Sequence, residues 1–212
     1  MIPVHGTRIY PKGYEPQDEP DYDPGLRNQL LDHILSSASE ADTDTDMFRV
    51  MARRRSTRRF SKRPVEAVKM DRIIAAADTA PTAGNYQGFE IFYVRDPKVK
   101  KGLVAACNGQ KYVDAPAVLV FCKNPARVKF DFEQYVLTKF AIQDATLAAA
   151  YSQLAAQALG LSSIWIGMLD ERAVMEVIGT DLVPSSILCI GYPEQSRYPK
   201  PRRNLKDLVH VV

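Results

Sequence analysis

The stretch from about Phe130 to Leu159 sets the tightest limit on what this chain can fold into. Its second half (Ala141, Ile142, Ala145, Leu147, Ala148, Ala149, Leu154, Ala155, Ala158 and Leu159) is apolar almost all round a helix. A helix without a polar face has to be covered on every side. It therefore belongs inside a layered domain, with a subunit interface as its second cover, and its alanines allow close approach of neighbours. The element reads as one long helix, or a short one followed by a long one, closed by Gly160 as its cap. A chain of 212 residues can bury such a helix within one domain.

The neighbouring elements follow from periodicity and punctuation. Strands are expected at Phe89–Val94, Ala115–Cys122, Ser163–Gly167 and Ile187–Ile190. The second is nearly all apolar, hence central and buried on both faces. Pro64 is expected to open a helix with Glu66 in its first turn and Met70, Ile73, Ile74 and Ala77 on one face. Asp96-Pro97 turns the chain into a helix through Val99, Leu103 and Ala106, which Asn108-Gly109-Gln110 breaks. Asp170 caps a helix that ends at Gly179. Asp46 is expected to cap a helix through Met47, Phe48 and Met51.

Residues 1–45 read as an arm ahead of a domain spanning 46–212. Pro3, Pro11, Pro16 and Pro20 interrupt its periodicity, and its composition is that of a disordered segment. A short helix follows from Asp23-Pro24 with Leu26, Leu30, Ile34 and Leu35 as its stripe, then a polar linker. The arm is expected to wrap a partner subunit; packing across its own domain is the alternative. At the other end, Leu208–Val212 is a candidate edge strand.

Charge is concentrated rather than abundant. Arg53-Arg54-Arg55-Ser56-Thr57-Arg58-Arg59-Phe60 places five arginines and two hydroxyls in one acid-free run. Arginine donates paired hydrogen bonds to phosphate and keeps its charge, and Ser56 adds a neutral donor. A helix ending inside the run, with the chain then turning, would let these groups converge. Taken alone, the run reads as a solvated basic patch or a nucleic-acid contact. The net charge of +3 is small for a protein held by phosphate backbones. Two basic clusters, Arg49–Lys69 and Arg197–Lys206, suit one small multiply charged anion as well. Three cysteines without metal-ligand spacing point to a reducing compartment. Met1–Gly6 has no apolar core, and no segment is apolar long enough to span a bilayer, so the protein reads as cytoplasmic.

Four motifs then fall in one order: Arg54-Arg55-Ser56-x-Arg58-x-Phe60, Pro81-x-x-x-Asn85-x-Gln87 before a strand, Leu159-Gly160-Leu161-x-Ser163-x-Trp165-Ile166-Gly167, and Lys200-x-Arg202 near the end. Over Met47–Val212 the chain resembles the FMN-dependent nitroreductase family. The resemblance implies an α+β fold, three-layered α/β/α with a central mixed, mostly antiparallel sheet, in an intertwined homodimer. It implies that Arg54, Arg55, Ser56 and Arg58 hold the flavin phosphate and ribityl chain, with Lys200 and Arg202 closing the site from the tail. Pro81, Thr82, Ala83 and Asn85 would approach the ring from the other subunit. Gly167 and Met168 would offer backbone N–H groups near N5, and Gln110, or Asn108 beside it, would meet the pyrimidine side.

The implied activity is that of an oxidoreductase: NADH or NADPH reduces bound FMN, which then reduces a nitroaromatic, quinone or similar acceptor by a ping-pong mechanism. No side-chain acid or nucleophile is needed, which suits a chain with three histidines. Gly88-Phe89 stand where the family often has Pro-Trp. Phe130, Phe132 and Tyr135 are candidates for a small lid, with helix packing as their ordinary role, and Trp165 reads as core. Two other readings are a nucleic-acid-binding protein using the two basic clusters and an FMN-binding protein without turnover.

Overall fold

The computed structural model describes residues 47–195, 208 and 210–212. The arm, the helix from Asp23-Pro24, the cap at Asp46, and Lys200 and Arg202 all lie outside the described residues. Within them the chain runs α1 (Met47–Arg53), α2 (Ala67–Asp78), β1 (Phe89–Val94), α3 (Pro97–Ala106), β2 (Ala117–Lys123), α4 (Gln134–Ala158), β3 (Ser162–Ile166), α5 (Glu171–Ile178) and β4 (Pro184–Gly191).

The four strands form one sheet in the order β1-β2-β4-β3, antiparallel at every pairing. Among the described residues the parallel component of the expected mixed sheet is one bridge, Ser56 to Ser163, at the outer edge of β3. β2 is buried from Ala117 to Cys122, and the period of two divides its side chains between layers. Leu119 and Phe121 pack with Met70 and Ile73 of α2 and the alanines of α4. Val118, Val120 and Cys122 pack with Leu103 of α3 and Val174 of α5. These are the three expected layers.

α4 covers 25 residues. Ala141, Asp144, Ala145, Ala148, Ala149, Ser152 and Ala156 form its buried stripe, and their small size brings the helix down on the sheet. The opposite face is apolar but exposed, through Ile142, Leu147 and Tyr151. Gly160 takes the left-handed conformation after the last turn, as its assignment as a cap requires. Asp170 accepts the N–H of Ala173, so the expected cap forms, and Asp96, read as part of a turn, also caps its helix by accepting the N–H of Lys98. Burial pushes the Cys107 thiol up to about 11 and that of Cys122 to about 12, which leaves them inert.

Three expectations change. The helix expected from Pro64 begins at Ala67, because Glu66 is extended and its carboxylate is engaged elsewhere. The Tyr192 hydroxyl faces both Glu66 oxygens at 2.9 and 2.7 Å, and Arg63 Nη2 donates to Oε1 at 2.7 Å. The candidate edge strand at the C-terminus is not formed by the residues described there: Leu208 is in a turn and His210–Val212 are irregular. The outer edge of β3 is met instead by the arginine segment. Trp165, read as core, is 43% exposed, since it lies on the outward side of an edge strand.

The Tyr192 hydroxyl, with Arg63 and Lys69 adding to it, holds the Glu66 carboxyl at about 2 rather than its usual 4.5. Its contribution to stability is therefore present above pH 4.5 and lost as pH falls toward 2. Glu66→Gln is expected to lower the melting temperature near neutral pH, and the gap from wild type should close as pH approaches about 2. Thermal denaturation across that range checks this; a gap independent of pH contradicts it.

Candidate functional site

The arginine run leaves α1 at Arg53 and continues as extended chain along the sheet edge. The N–H of Thr57 donates to Ser163 O at 3.0 Å, that of Ser61 to Tyr192 O at 2.8 Å and that of Glu194 to Arg59 O at 3.2 Å. Thr57 is thereby turned into the core, while its neighbours Ser56 and Arg58 face solvent. The helix thus ends inside the run, as expected, and extended backbone after it sets Ser56 and Arg58 on the exposed side with Thr57 between them buried.

Two arginines of the run are held in different ways. Arg55 Nη1 donates to Ala52 O and Arg54 O, both at 2.6 Å, at the negative end of α1. Its Nε is buried without a hydrogen-bond partner among the described residues. A buried guanidinium N–H left unmatched is a donor waiting for an acceptor. Arg58 stacks on the ring of Tyr112, 5.7 Å from its centroid. The Tyr112 hydroxyl donates to Gln110 Oε1, so Arg58 and Gln110 are joined through one ring. Asn108 and Gly109 before it take the left-handed turn that ends α3.

Gly167 and Met168 follow the last residue of β3 and are exposed. A methyl group on Gly167 would lie 2.6 Å from the Trp165 indole, so glycine is what lets that ring lie over the backbone. Ser163 to Gly167 spans about 13 Å of extended chain. Ser56 at one end and Gly167 at the other therefore bracket a single edge.

The loop Pro81–Gln87 is built from unusual backbone: Gly84, Asn85 and Gln87 all have positive φ, at 57°, 59° and 46°. The Thr82 hydroxyl accepts the Gln87 backbone N–H at 3.2 Å, and Gln87 Nε2 donates to Asn85 Oδ1 at 2.8 Å. Asp144, reaching from α4, accepts the N–H of Ala83 and of Gly88, each at 3.0 Å. Burial pushes the Asp144 carboxyl up, opposed by these two bonds. Phe130 lies edge-on to Tyr86 at 5.2 Å and continues to Phe132 and Phe140. This aromatic group supports the loop at Gly84, where any Cβ would strike Phe130. Two of the three lid candidates therefore pack, and Tyr135 is exposed.

One chain does not bring all the expected residues together. The register puts the start of β1, the start of β4 and the end of β3 at the same end of the sheet. β1 and β3 are nonetheless its two opposite edges, three strand spacings or about 14 Å apart. Arg54, Arg55, Ser56, Arg58, Gln110 and Gly167 thus gather on the β3 side. Pro81, Thr82, Ala83 and Asn85 gather on the β1 side.

Asp144 and Tyr112 were not visible as site residues in the sequence. The signal for Asp144 was present: a lone acid in the most apolar helix of the chain needs partners to be buried. No group of histidine, cysteine and acid side chains able to hold a metal occurs among the described residues. None of the described helices is long and apolar enough to cross a membrane.

The fold is thus an α+β sheet with a cationic segment along one edge and a small-residue loop held by Asp144 at the other. The family described as Nitroreductase matches residues 51–113 and 105–192, and this chain belongs to that family. It is 32% identical over 166 residues to a candidate NADH dehydrogenase/NAD(P)H nitroreductase of Archaeoglobus fulgidus, covering 74% of this chain and 92% of the relative. It is 30% identical over 164 residues to an FMN reductase [NAD(P)H] of Bacillus subtilis, covering 70% and 66%. Among solved structures, the NADPH:FMN oxidoreductase of Vibrio harveyi complexed with NAD+ superposes with a TM-score of 0.73 at 27% identity, covering 78% and 76%.

Trp165 is the only tryptophan in the chain, so its emission reports on this corner of the site. Gly167→Ala is expected to push the indole outward and shift its emission to the red, at a stability cost within about 1 kcal/mol because the ring is free to move. An unchanged emission spectrum would show that the indole does not lie over Gly167.

Proposed function

We propose that the protein is an FMN-dependent oxidoreductase that draws electrons from NADH or NADPH. The observation that carries this reading is the cationic edge of β3 in a chain of this family, with an unmatched buried donor on Arg55 beside the exposed hydroxyl of Ser56. That donor set fits a phosphate. Arg54, Arg55, Ser56 and Arg58 would hold it, and Lys200 and Arg202 would complete the set from the tail. Gln110, oriented by Tyr112, would meet the polar edge of the ring. Gly167 and Met168 would present backbone N–H groups to it, at a point where the chain carries no Cβ to keep a ring away. FMN, when bound, supplies the redox chemistry, accepting a hydride from the nicotinamide and passing electrons to a second substrate.

The described side chains leave the reactive edge without a competing acid or nucleophile, so their tasks are binding, orientation and exclusion of water. We assign the acceptor to the class of small flat molecules, nitroaromatics or quinones, that stack against such a ring. The aromatic group around Phe130 backs one wall. The protein acts as a homodimer in this reading. Support comes from the two half-sites on opposite sheet edges and from the exposed apolar side chains of α4 and α1, including Ile142, Leu147, Phe48 and Met51. Division into an arm (1–45) and a domain (46–212) agrees with a family match that starts at residue 51. Three buried free thiols suit a reducing cytoplasm.

Purified protein is expected to show flavin absorption that bleaches on anaerobic addition of NADH or NADPH, which also identifies the donor. The double variant Arg54→Ala/Ser56→Ala should bind FMN at least about tenfold more weakly with its fold intact, since each charge-assisted hydrogen bond contributes about 1.5–3 kcal/mol. Colourless wild-type protein that takes up no added FMN would overturn the reading. Salt-sensitive binding to oligonucleotides in its place would favour a nucleic-acid role for the basic clusters. Bound flavin that neither nicotinamide reduces would favour a binding protein without turnover.

A second prediction concerns assembly. Leu147→Glu, on the exposed face of α4, is expected to convert a dimer to monomers and to lower FMN affinity with it. Light scattering and flavin titration on the same sample test both, and a dimer that survives the charge places the interface elsewhere.

A further inference from the structure

We infer that Asp144 is a positioning residue for the loop Pro81–Gln87, clamping it from the middle of α4 in the shape that faces the cofactor; this rests on the flavin reading above. Asp144 is 2% exposed and is the only acid of the apolar helix α4. Burying it is costly unless strong donors meet it. Among the described residues it has no ion-pair partner; its acceptor capacity goes to two backbone N–H groups. Oδ1 takes the N–H of Ala83 and Oδ2 that of Gly88, each at 3.0 Å. The two donors flank the turn, so one side chain ties both ends of the loop to a rigid helix.

The loop needs such a tie. Asn85 and Gln87 hold positive φ without being glycine, a conformation that costs of order 1 kcal/mol each and persists only where surroundings impose it. The internal bonds from Gln87 to Thr82 and Asn85 close the turn on itself but do not attach it to the domain. Attachment comes from Asp144 at both ends, from the Asn124 N–H donating to Gly88 O at 2.8 Å, and from Phe130 against Tyr86; of these only Asp144 reaches the Ala83 end as well as the Gly88 end. Gly88 makes the tight approach possible: a Cβ there would lie 3.0 Å from Asp144 Oδ2 and 3.3 Å from the backbone of Ala141. Asp144 is almost fully buried and both its oxygens accept loop amides, so its effect on chemistry is carried through the loop. Only a carboxylate offers two equivalent acceptors at this spacing.

Asp144→Asn tests the clamp, because the amide keeps the volume and one acceptor but turns an NH2 group toward the other N–H. The control is Ser152→Ala, two turns on along the same buried stripe, which deletes a buried bond to Ile73 O without touching the loop. Hydrogen exchange of the free protein is expected to show faster exchange at the amides of Ala83 and Gly88 in Asp144→Asn alone. FMN is expected to bind about tenfold more weakly to Asp144→Asn, with an altered visible circular dichroism of the bound flavin, while Ser152→Ala leaves both at the wild-type level. Equal flavin affinity and spectrum in Asp144→Asn and wild type overturn the role of Asp144 and leave the flavin reading standing. Equal losses in the two variants also overturn it, because they reduce Asp144 to general stability. Wild-type protein that binds no FMN overturns the flavin reading itself, and the exchange result then still decides whether the clamp exists.

Discussion

The pairing of β2 with β4 is the constraint on which the rest of the structure stands. Both strands are buried on both faces, so their backbone groups have no water and must satisfy one another. That requirement puts them at the centre of the sheet and pushes β1 and β3 to its edges. The groups that can do chemistry hang on those edges: the loop that feeds β1, and the arginine segment laid along β3. The hydrophobic effect thus decides where the polar site can be, by reserving the middle of the sheet for Leu119, Phe121, Leu188 and Ile190.

Two guanidinium groups on the β3 edge are ordered by backbone and ring contacts. Arg55 is tied to carbonyls at the end of α1, and Arg58 rests on Tyr112. Arg127 and Arg63 are instead held by carboxylates, Glu90 at 2.5 Å and Glu66 at 2.7 Å. A carboxylate bound tightly to Arg55 would compete with any anionic ligand. Neutral acceptors fix the geometry while leaving the charge available.

The opposite edge uses the reverse economy, a buried negative charge spent on orienting neutral backbone. Asp144 holds two amides of a loop whose conformation is otherwise unfavourable, and Gly84 and Gly88 admit Phe130 and Asp144 at distances a side chain would forbid. Rigidity at this loop and donor geometry at the other edge are complementary. A flat cofactor needs a firm wall on one face and polar anchors at its ends. A single chain separates the two by the width of the sheet.

Much of the fold was legible along the chain. The apolar run Ala115–Cys122 announced a strand covered on both faces, and the turn at Asp96-Pro97, the cap at Asp170 and the glycine at Gly160 marked helix ends. These features are local: they follow from side-chain period, backbone preference and charge, which neighbours in sequence set by themselves. The start of α2 was not legible, because Glu66 is held out of the helix by Tyr192, 126 residues away. Nor was the outward face of Trp165, which depends on β3 being an edge, or the clamp made by Asp144, which depends on α4 crossing above the start of β1. Strand order and layer packing are settled by the burial of the whole chain, and no run of residues carries that information alone.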